Sequence, residues 1–105
     1  MKSSQINELI RKNGREQEVL TCMEELSELI QAISKCERNR LGDEYSKENF
    51  DNLHEEIADV LICIRTLKHL FKLDSNRIKD WQNQKEKRIV KRYELWTGKK
   101  EKKTC

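Results

Sequence analysis

Residues 24–35 read EELSELIQAISK, a run of helix-forming residues that contains neither glycine nor proline. Large aliphatic side chains recur in it at helical spacing: Leu26, Leu29, Ile30 and Ile33. Three acids, Glu24, Glu25 and Glu28, stand at the edge of this apolar stripe. A helix of this kind is stabilised by burying its apolar stripe, so the presence of acidic residues beside that stripe requires a separate explanation.

The apolar pattern continues on both sides of this stretch. We predict helices at residues 3–12, 15–40, 47–72 and 76–96, with Ser3 or Ser4 capping the first. In the second helix the stripe expected to face the core comprises Val19, Leu20, Met23, Leu26, Leu29, Ile30 and Ile33. In the fourth, the side chains expected on or near the inner side are Ile78, Trp81, Ile89, Tyr93 and Trp96.

Composition supports an all-α fold. Of 105 residues 39% are charged and 35% hydrophobic, with three glycines and no proline, which suits long amphipathic helices. We expect a four-helix, antiparallel, bundle-like domain over residues 1–97 and a basic flexible tail over residues 98–105. Because a chain of this size buries a modest core, we expect oligomerisation, as a homodimer or homotetramer, to cover the remaining apolar surface.

Several classes of protein are excluded or disfavoured. No apolar run is long enough to cross a membrane, and the first ten residues lack the apolar core of a signal peptide, so we expect a cytoplasmic protein. Its four cysteines, Cys22, Cys36, Cys63 and Cys105, have no metal-binding spacing and are expected to be free thiols. No glycine-rich phosphate loop and no nucleophile elbow is present.

The third helix also carries acids in an unusual place. Glu56 projects inside its apolar sector and Asp59 lies at the margin, whereas Glu18 and Glu55 are interpreted as surface charges. If the second and third helices pack antiparallel, Glu25 and Glu28 can converge with Glu56 and Asp59. Hard oxygen ligands suit Mg²⁺, with Mn²⁺ as a possible substitute, and a buried carboxylate needs a compensating cation.

The order of these acids resembles a known signature. EELSE at residues 24–28, followed after 27 residues by EIAD at residues 56–59, resembles the EExxE…ExxD signature of the MazG-like nucleotide pyrophosphohydrolases, in the all-α NTP pyrophosphatase superfamily. The similarity covers about residues 16–93. It implies that Glu25, Glu28, Glu56 and Asp59 are Mg²⁺ ligands, that Glu25 and Glu28 thereby serve catalysis, and that Glu24 supports the ligands or orients the attacking water.

Phosphate contacts are expected from basic residues. Many relatives carry a Lys-x-x-x-Asn-x-x-Arg pattern on a later helix; this chain keeps Lys85 and Arg92 but has Ile89 in place of the Asn. The candidates for substrate binding are Lys35, Lys85, Arg88 and Arg92. Residues 76–105 hold 11 basic against 4 acidic residues, a balance that attracts phosphate.

The implied reaction is Mg²⁺-dependent hydrolysis of a nucleoside triphosphate between its α- and β-phosphates, giving a monophosphate and pyrophosphate. Two alternatives stay open. One is phosphoribosyl-ATP hydrolysis, which shares the metal chemistry. The other is a non-catalytic helical module that binds nucleic acid or protein through its basic end. Nucleic-acid binding is disfavoured because such a module has no need of Glu56 in an apolar sector.

Overall fold

A computed structural model of the protein describes residues 1–95, which form four α-helices. They are α1 (Ser3–Asn13), α2 (Arg15–Asn39), α3 (Lys47–Leu70) and α4 (Ser75–Arg92). No strand occurs in this part of the chain apart from an isolated bridge between Leu41 and Glu44, so the all-α prediction is confirmed. The predicted tail, Trp96 and Cys105 lie outside the described residues.

The helix ends follow from local hydrogen bonding. Gly14 separates α1 from α2 with a φ of 87°, a conformation in which glycine has no steric penalty. Ser46 caps α3, its Oγ accepting a hydrogen bond from the Asn49 N–H at 3.1 Å. At α1, however, neither predicted serine is the cap: the helix starts after Lys2, whose backbone N–H donates to Gln5 Oε1 at 2.8 Å.

The two longest helices pack antiparallel. Cys22 Sγ donates to the Cys63 carbonyl at 3.8 Å, and Cys36 Sγ donates to the Asn49 carbonyl at 3.1 Å, so residue numbers rise along α2 as they fall along α3. The buried and half-buried residues that line this α2–α3 seam recur every three or four positions. They are Glu18, Cys22, Glu25, Leu29, Ala32 and Cys36 on α2, and Glu56, Val60, Cys63, Leu67 and Leu70 on α3.

Helix α1 covers one end of the seam. Ile6 is completely buried, and Ile10 packs against the buried cluster of Cys22, Cys63 and Leu70. The Arg15 guanidinium at the start of α2 donates a hydrogen bond to the Leu70 carbonyl at the end of α3. These contacts fix α1 and the start of α2 against α3.

The apolar stripe of α2 that was expected to face the protein core lies mostly on the surface of the single chain. Ile30 is 68% exposed, and Leu20, Met23, Leu26 and Ile33 are also exposed; the prediction of which α2 residues are buried was therefore largely wrong. A matching exposed stripe on α3 comprises Phe50, Ile57, Leu61, Ile64 and Phe71. On each helix, the exposed stripe is reached from the seam by turning in the same direction about the helix axis. Because the two helices run antiparallel, both stripes therefore lie on the same side of the helix pair.

A second compact unit begins at Asp74 and contains α4. The Asp74 carboxylate caps α4 by accepting from the Asn76 N–H at 2.8 Å. No residue of α4 is buried, and Trp81 is 52% exposed, so the expected inner face is not buried in the single chain. The predicted domain boundary at residue 97 stays a prediction.

Within residues 1–95, no helix combines the length and apolar character required to cross a bilayer.

Candidate active site

Three carboxylates from α2 and α3 meet at the seam. Glu25, Glu56 and Asp59 each offer an oxygen atom, and these oxygens all lie within 4.8 Å of one another. The antiparallel packing produces this arrangement, because Glu25 lies one turn beyond Cys22 and Asp59 one turn before Cys63. We call Glu25, Glu56 and Asp59 the acid trio.

The acid trio is poorly hydrated. Glu56 is 8% exposed, and both Glu25 Oε2 and Glu56 Oε2 are buried without a hydrogen-bond partner. Burial raises the pKa of Glu25, with further increases from the nearby charges of Glu28, Asp59 and Glu56. Burial likewise raises the pKa of Glu56, followed by the charges of Glu28, Asp59 and Glu55. Ionising Glu25 and Glu56 is thus costly without a cation.

The other two acids of the EELSE stretch lie at the border of this cluster. Glu28 is exposed and is not one of the three converging residues, but its charge acts on both Glu25 and Glu56. Glu24 is exposed as well, and its backbone carbonyl accepts a hydrogen bond from Ser27 Oγ at 2.7 Å. Both side chains are therefore accessible to a ligand that arrives from solvent.

The residue types in the acid trio fit a divalent cation. All the donors are hard carboxylate oxygens, the preferred ligands of Mg²⁺ and Mn²⁺, and two of those oxygens lack any partner. Within residues 1–95 the ion pairs are Arg11–Glu8 and Arg40–Glu37, neither of which involves the trio. A bound cation would satisfy both the orphaned oxygens and the uncompensated charge.

The stability of the metal-free protein should fall as pH rises across the window in which Glu25 and Glu56 ionise. Their pKa values lie above the ordinary value of 4.5, so between that value and their raised values the folded state binds more protons than the unfolded state. Mg²⁺ binds the ionised form and has the opposite dependence. We expect the Mg²⁺-induced rise in Tm to be several degrees at about pH 8 and much smaller at about pH 5.

Differential scanning fluorimetry with and without Mg²⁺ at the two pH values measures this difference. Glu55→Gln is the matched control, because Glu55 is exposed and adjacent to Glu56 and should keep the response to Mg²⁺. A rise in Tm that is independent of pH would contradict binding at ionised carboxylates.

The basic residues predicted to contact phosphate are all on the surface. Lys35 is exposed on α2, and ten residues beyond Glu25 it is roughly 15 Å farther along the helix axis. Lys85, Arg88 and Arg92 are exposed on α4, where spacings of three and four place them on one face. Their role in substrate binding stays a prediction.

A cavity of about 470 Å³ adjoins the acid trio. Its walls come from α1, α2 and α3, and Glu25 and Asp59 belong both to the trio and to the cavity lining. The Cys22 and Cys63 thiols also line it. Burial raises the pKa of the Cys63 thiol to about 12 and also raises that of Cys22, so both thiols stay protonated and are poor nucleophiles at neutral pH.

Glu18 was missed by the sequence analysis. It was interpreted as a surface charge, yet it is 5% exposed and lines this cavity. Its Oε1 accepts a hydrogen bond from Asn13 Nδ2 at 2.7 Å. The signal that could have revealed it is its spacing, because Glu18, Cys22 and Glu25 follow one another at intervals of four and three and therefore share a helix face.

Comparison with known proteins gives one match. The family model of the MazG nucleotide pyrophosphohydrolase domain matches residues 14–76. The chain belongs to this family. No curated protein and no solved structure matches it.

The MazG match has a limited extent. It contains Glu24, Glu28 and the whole acid trio, and it also contains Glu18. It excludes Lys85, Arg88 and Arg92 of α4, and all of α1 including Asn13. Membership of the MazG family therefore bears on the acids, whereas the α1 wall of the cavity lies outside the matched residues.

Proposed function

We propose that the protein hydrolyses nucleoside triphosphates between the α- and β-phosphates in a reaction that depends on Mg²⁺, releasing a nucleoside monophosphate and pyrophosphate. The observation that carries the proposal is the acid trio, in which Glu25 Oε2 and Glu56 Oε2 are buried and unpartnered. Membership of the MazG nucleotide pyrophosphohydrolase family supports it independently.

In this proposal Glu25, Glu28, Glu56 and Asp59 hold the metal. When bound, the ion supplies positive charge opposite the phosphate oxygens and makes a water molecule more acidic. Buried Glu56 and half-buried Glu25 fix the position of the negative charge, because both belong to packed helices. Exposed Glu24 is free to orient the attacking water, and Glu28 completes the ligand set from the solvent side.

Basic side chains complete the site in the proposal. A triphosphate carries more negative charge than one divalent ion neutralises, and the acid trio adds to it. Cations are therefore required around the β- and γ-phosphates. We assign this role to Lys35, Lys85, Arg88 and Arg92, all of which are exposed and have long, mobile side chains.

We further propose that the protein acts in the cytoplasm as a homodimer or homotetramer. The buried Cys22, Cys36 and Cys63 are free thiols, as a reducing compartment favours. The exposed stripes of α2 and α3 supply an apolar surface of the kind that monomers rarely leave uncovered. A second copy of the chain is the occupant with a matching apolar face.

The direct test is pyrophosphate release from a panel of ribo- and deoxyribonucleoside triphosphates, with phosphoribosyl-ATP included. We expect at least one nucleoside triphosphate to be hydrolysed to its monophosphate with Mg²⁺ or Mn²⁺ and none after chelation by EDTA. Orthophosphate in place of pyrophosphate would place the cleavage at another bond and contradict the proposal. Hydrolysis of phosphoribosyl-ATP alone would assign the protein to the alternative reaction.

A further inference from the structure

The cavity beside the acid trio contains an acid that the proposed metal site does not use. Glu18 lies seven residues before Glu25 on the same face of α2, roughly 10 Å away along the helix axis. The cavity reaches both residues. A nucleotide whose phosphates lie at the acid trio would therefore place its sugar and base in this cavity, with the base toward Glu18.

A buried carboxylate such as that of Glu18 is an uncommon group in the lining of a cavity. Glu18 is 5% exposed, and neither ion pair formed by residues 1–95 involves it. Its contact with the Asn13 amide is a hydrogen bond from a neutral donor. A carboxylate has about four lone-pair sites, so one bond to Oε1 leaves most of its acceptor capacity for a ligand. A buried carboxylate of this kind is stabilised by additional N–H donors.

We propose that Glu18, held in place by Asn13, determines base specificity by accepting a hydrogen bond from an exocyclic amino group of the substrate's base. This inference rests on the proposed nucleotide hydrolysis and specifies its substrate class. Guanine, cytosine and adenine carry such an amino group. Uracil and thymine present carbonyl oxygens instead, and a carbonyl facing the Glu18 carboxylate brings two acceptors together without a proton between them.

Other polar side chains of the cavity form hydrogen bonds within the protein. Gln17 and Thr21 line the same wall of α2, where Gln17 Nε2 donates to Thr21 Oγ1 at 3.4 Å. Thr66 on the α3 wall donates its hydroxyl proton to the Ile62 carbonyl at 3.1 Å. The Thr66 hydroxyl proton is therefore used within the protein, whereas the Thr21 hydroxyl and the second N–H of Gln17 can still donate to a ligand. Unlike these groups, an ionised carboxylate at Glu18 can only accept.

Matched nucleotide pairs test the proposal. GTP and ITP differ by the 2-amino group alone and form the stricter pair, whereas between CTP and UTP the 4-amino group becomes a carbonyl and N3 becomes N3–H. We expect kcat/KM to favour the amino-bearing member by at least about 10-fold in the pair that is hydrolysed faster, because its rival brings a carbonyl oxygen or no donor to the free acceptor sites of the Glu18 carboxylate. In Glu18→Gln the ratio should fall below about threefold, since the amide is both donor and acceptor.

Glu16→Gln is the matched control. Glu16 lies on the same helix, is exposed and does not line this cavity, so the same loss of charge should leave the ratio as in the unmodified protein. Retention of the ratio in Glu18→Gln, or equal hydrolysis of both members by the unmodified protein, would overturn the assignment of Glu18 while leaving the proposed hydrolysis standing.

A binding measurement separates the two proposals. Calorimetric titration of the metal-free protein with GMP, IMP, CMP and UMP requires no turnover. A preference for the amino-bearing monophosphates that is lost in Glu18→Gln would support the role of Glu18. If no triphosphate were hydrolysed at the same time, the result would reject only the proposed hydrolysis. Absence of binding of all four monophosphates, or binding without preference, would overturn the cavity as a base site.

Discussion

Glu56→Gln is expected to lower Mg²⁺-dependent pyrophosphate release by at least about 100-fold, since even outer-shell partners of metal ligands are worth 10- to 100-fold. The substitution keeps the shape of the side chain and removes its charge. Glu56 is the most buried member of the acid trio, at 8% exposure, and its Oε2 has no hydrogen-bond partner. An amide there provides one weak oxygen ligand in place of an anionic one.

The same substitution should stabilise the metal-free protein. Burial and the charges of Glu28, Asp59 and Glu55 raise the pKa of Glu56, so the folded state is less stable with Glu56 ionised than with it neutral. A neutral Gln removes that repulsion. We expect Glu56→Gln to have a higher Tm than the unmodified protein in EDTA and to lose most of the increase in Tm on adding Mg²⁺.

Opposite effects on stability and activity distinguish a ligand from a structural residue. Loss of a structural residue would lower both the Tm and the rate, whereas loss of a metal ligand lowers the rate alone. Glu55→Gln is the matched control, since it removes the neighbouring exposed charge and should keep turnover within about threefold, as is usual for surface substitutions. Turnover of Glu56→Gln at the level of this control would remove Glu56 from the site.

The positions of the helices could be predicted because their apolar residues recur with a strong helical period. Which face of α2 is buried could not be predicted. The sequence favours the most apolar arc of α2, which includes Leu26, Ile30 and Ile33, yet these are exposed. On α2 the buried residues are instead small or polar, namely Glu18, Cys22, Ala32 and Cys36. A seam that contains a cluster of carboxylates and borders a cavity is not filled by large aliphatic side chains along its whole length, so hydrophobicity alone points to the other face.

The convergence of acids could be predicted in part. Glu56 was recognised as inward-facing because its direction falls in the apolar sector of α3, and it is buried. The cavity could not be predicted, since its shape depends on how α1 crosses the seam. Helical spacing predicts neighbours within one helix, but the contact between Asn13 and Glu18 across the Gly14 turn depends on the φ of 87° at that glycine.

Ile30→Asp is expected to dissociate the protein into monomers at micromolar concentration and to reduce its stability. Ile30 is 68% exposed and Leu61 60% exposed, and both stripes lie on one side of the α2–α3 pair. A stable interface buries about 1,200–2,000 Å² in total, and two helix faces of this length can supply an area of that order. An unpaired carboxylate within it costs several kcal/mol, which weakens association by at least about 100-fold.

The position of Ile30 makes the result interpretable. Because its side chain is largely exposed in the single chain, Asp can be accommodated in a monomer with little loss of internal packing. Circular dichroism should therefore still show a helical protein at low temperature, while sedimentation velocity shows a lower mass. Ile30→Val is the matched control at the same position: it keeps an apolar contact and should remain associated.

The effect of dissociation on turnover determines how the assembly relates to the site. The acid trio lies within the α2–α3 seam, and its cavity lies on the side of the seam away from the two stripes, so dissociation does not expose the trio directly. If the stripes serve only to stabilise the fold, the Ile30→Asp monomer should keep its kcat below its own melting temperature. A monomer that is helical, binds Mg²⁺ and yet has lost turnover would instead show that a second copy supplies part of the phosphate site. An Ile30→Asp protein with the mass of the unmodified one would contradict an interface formed by these stripes.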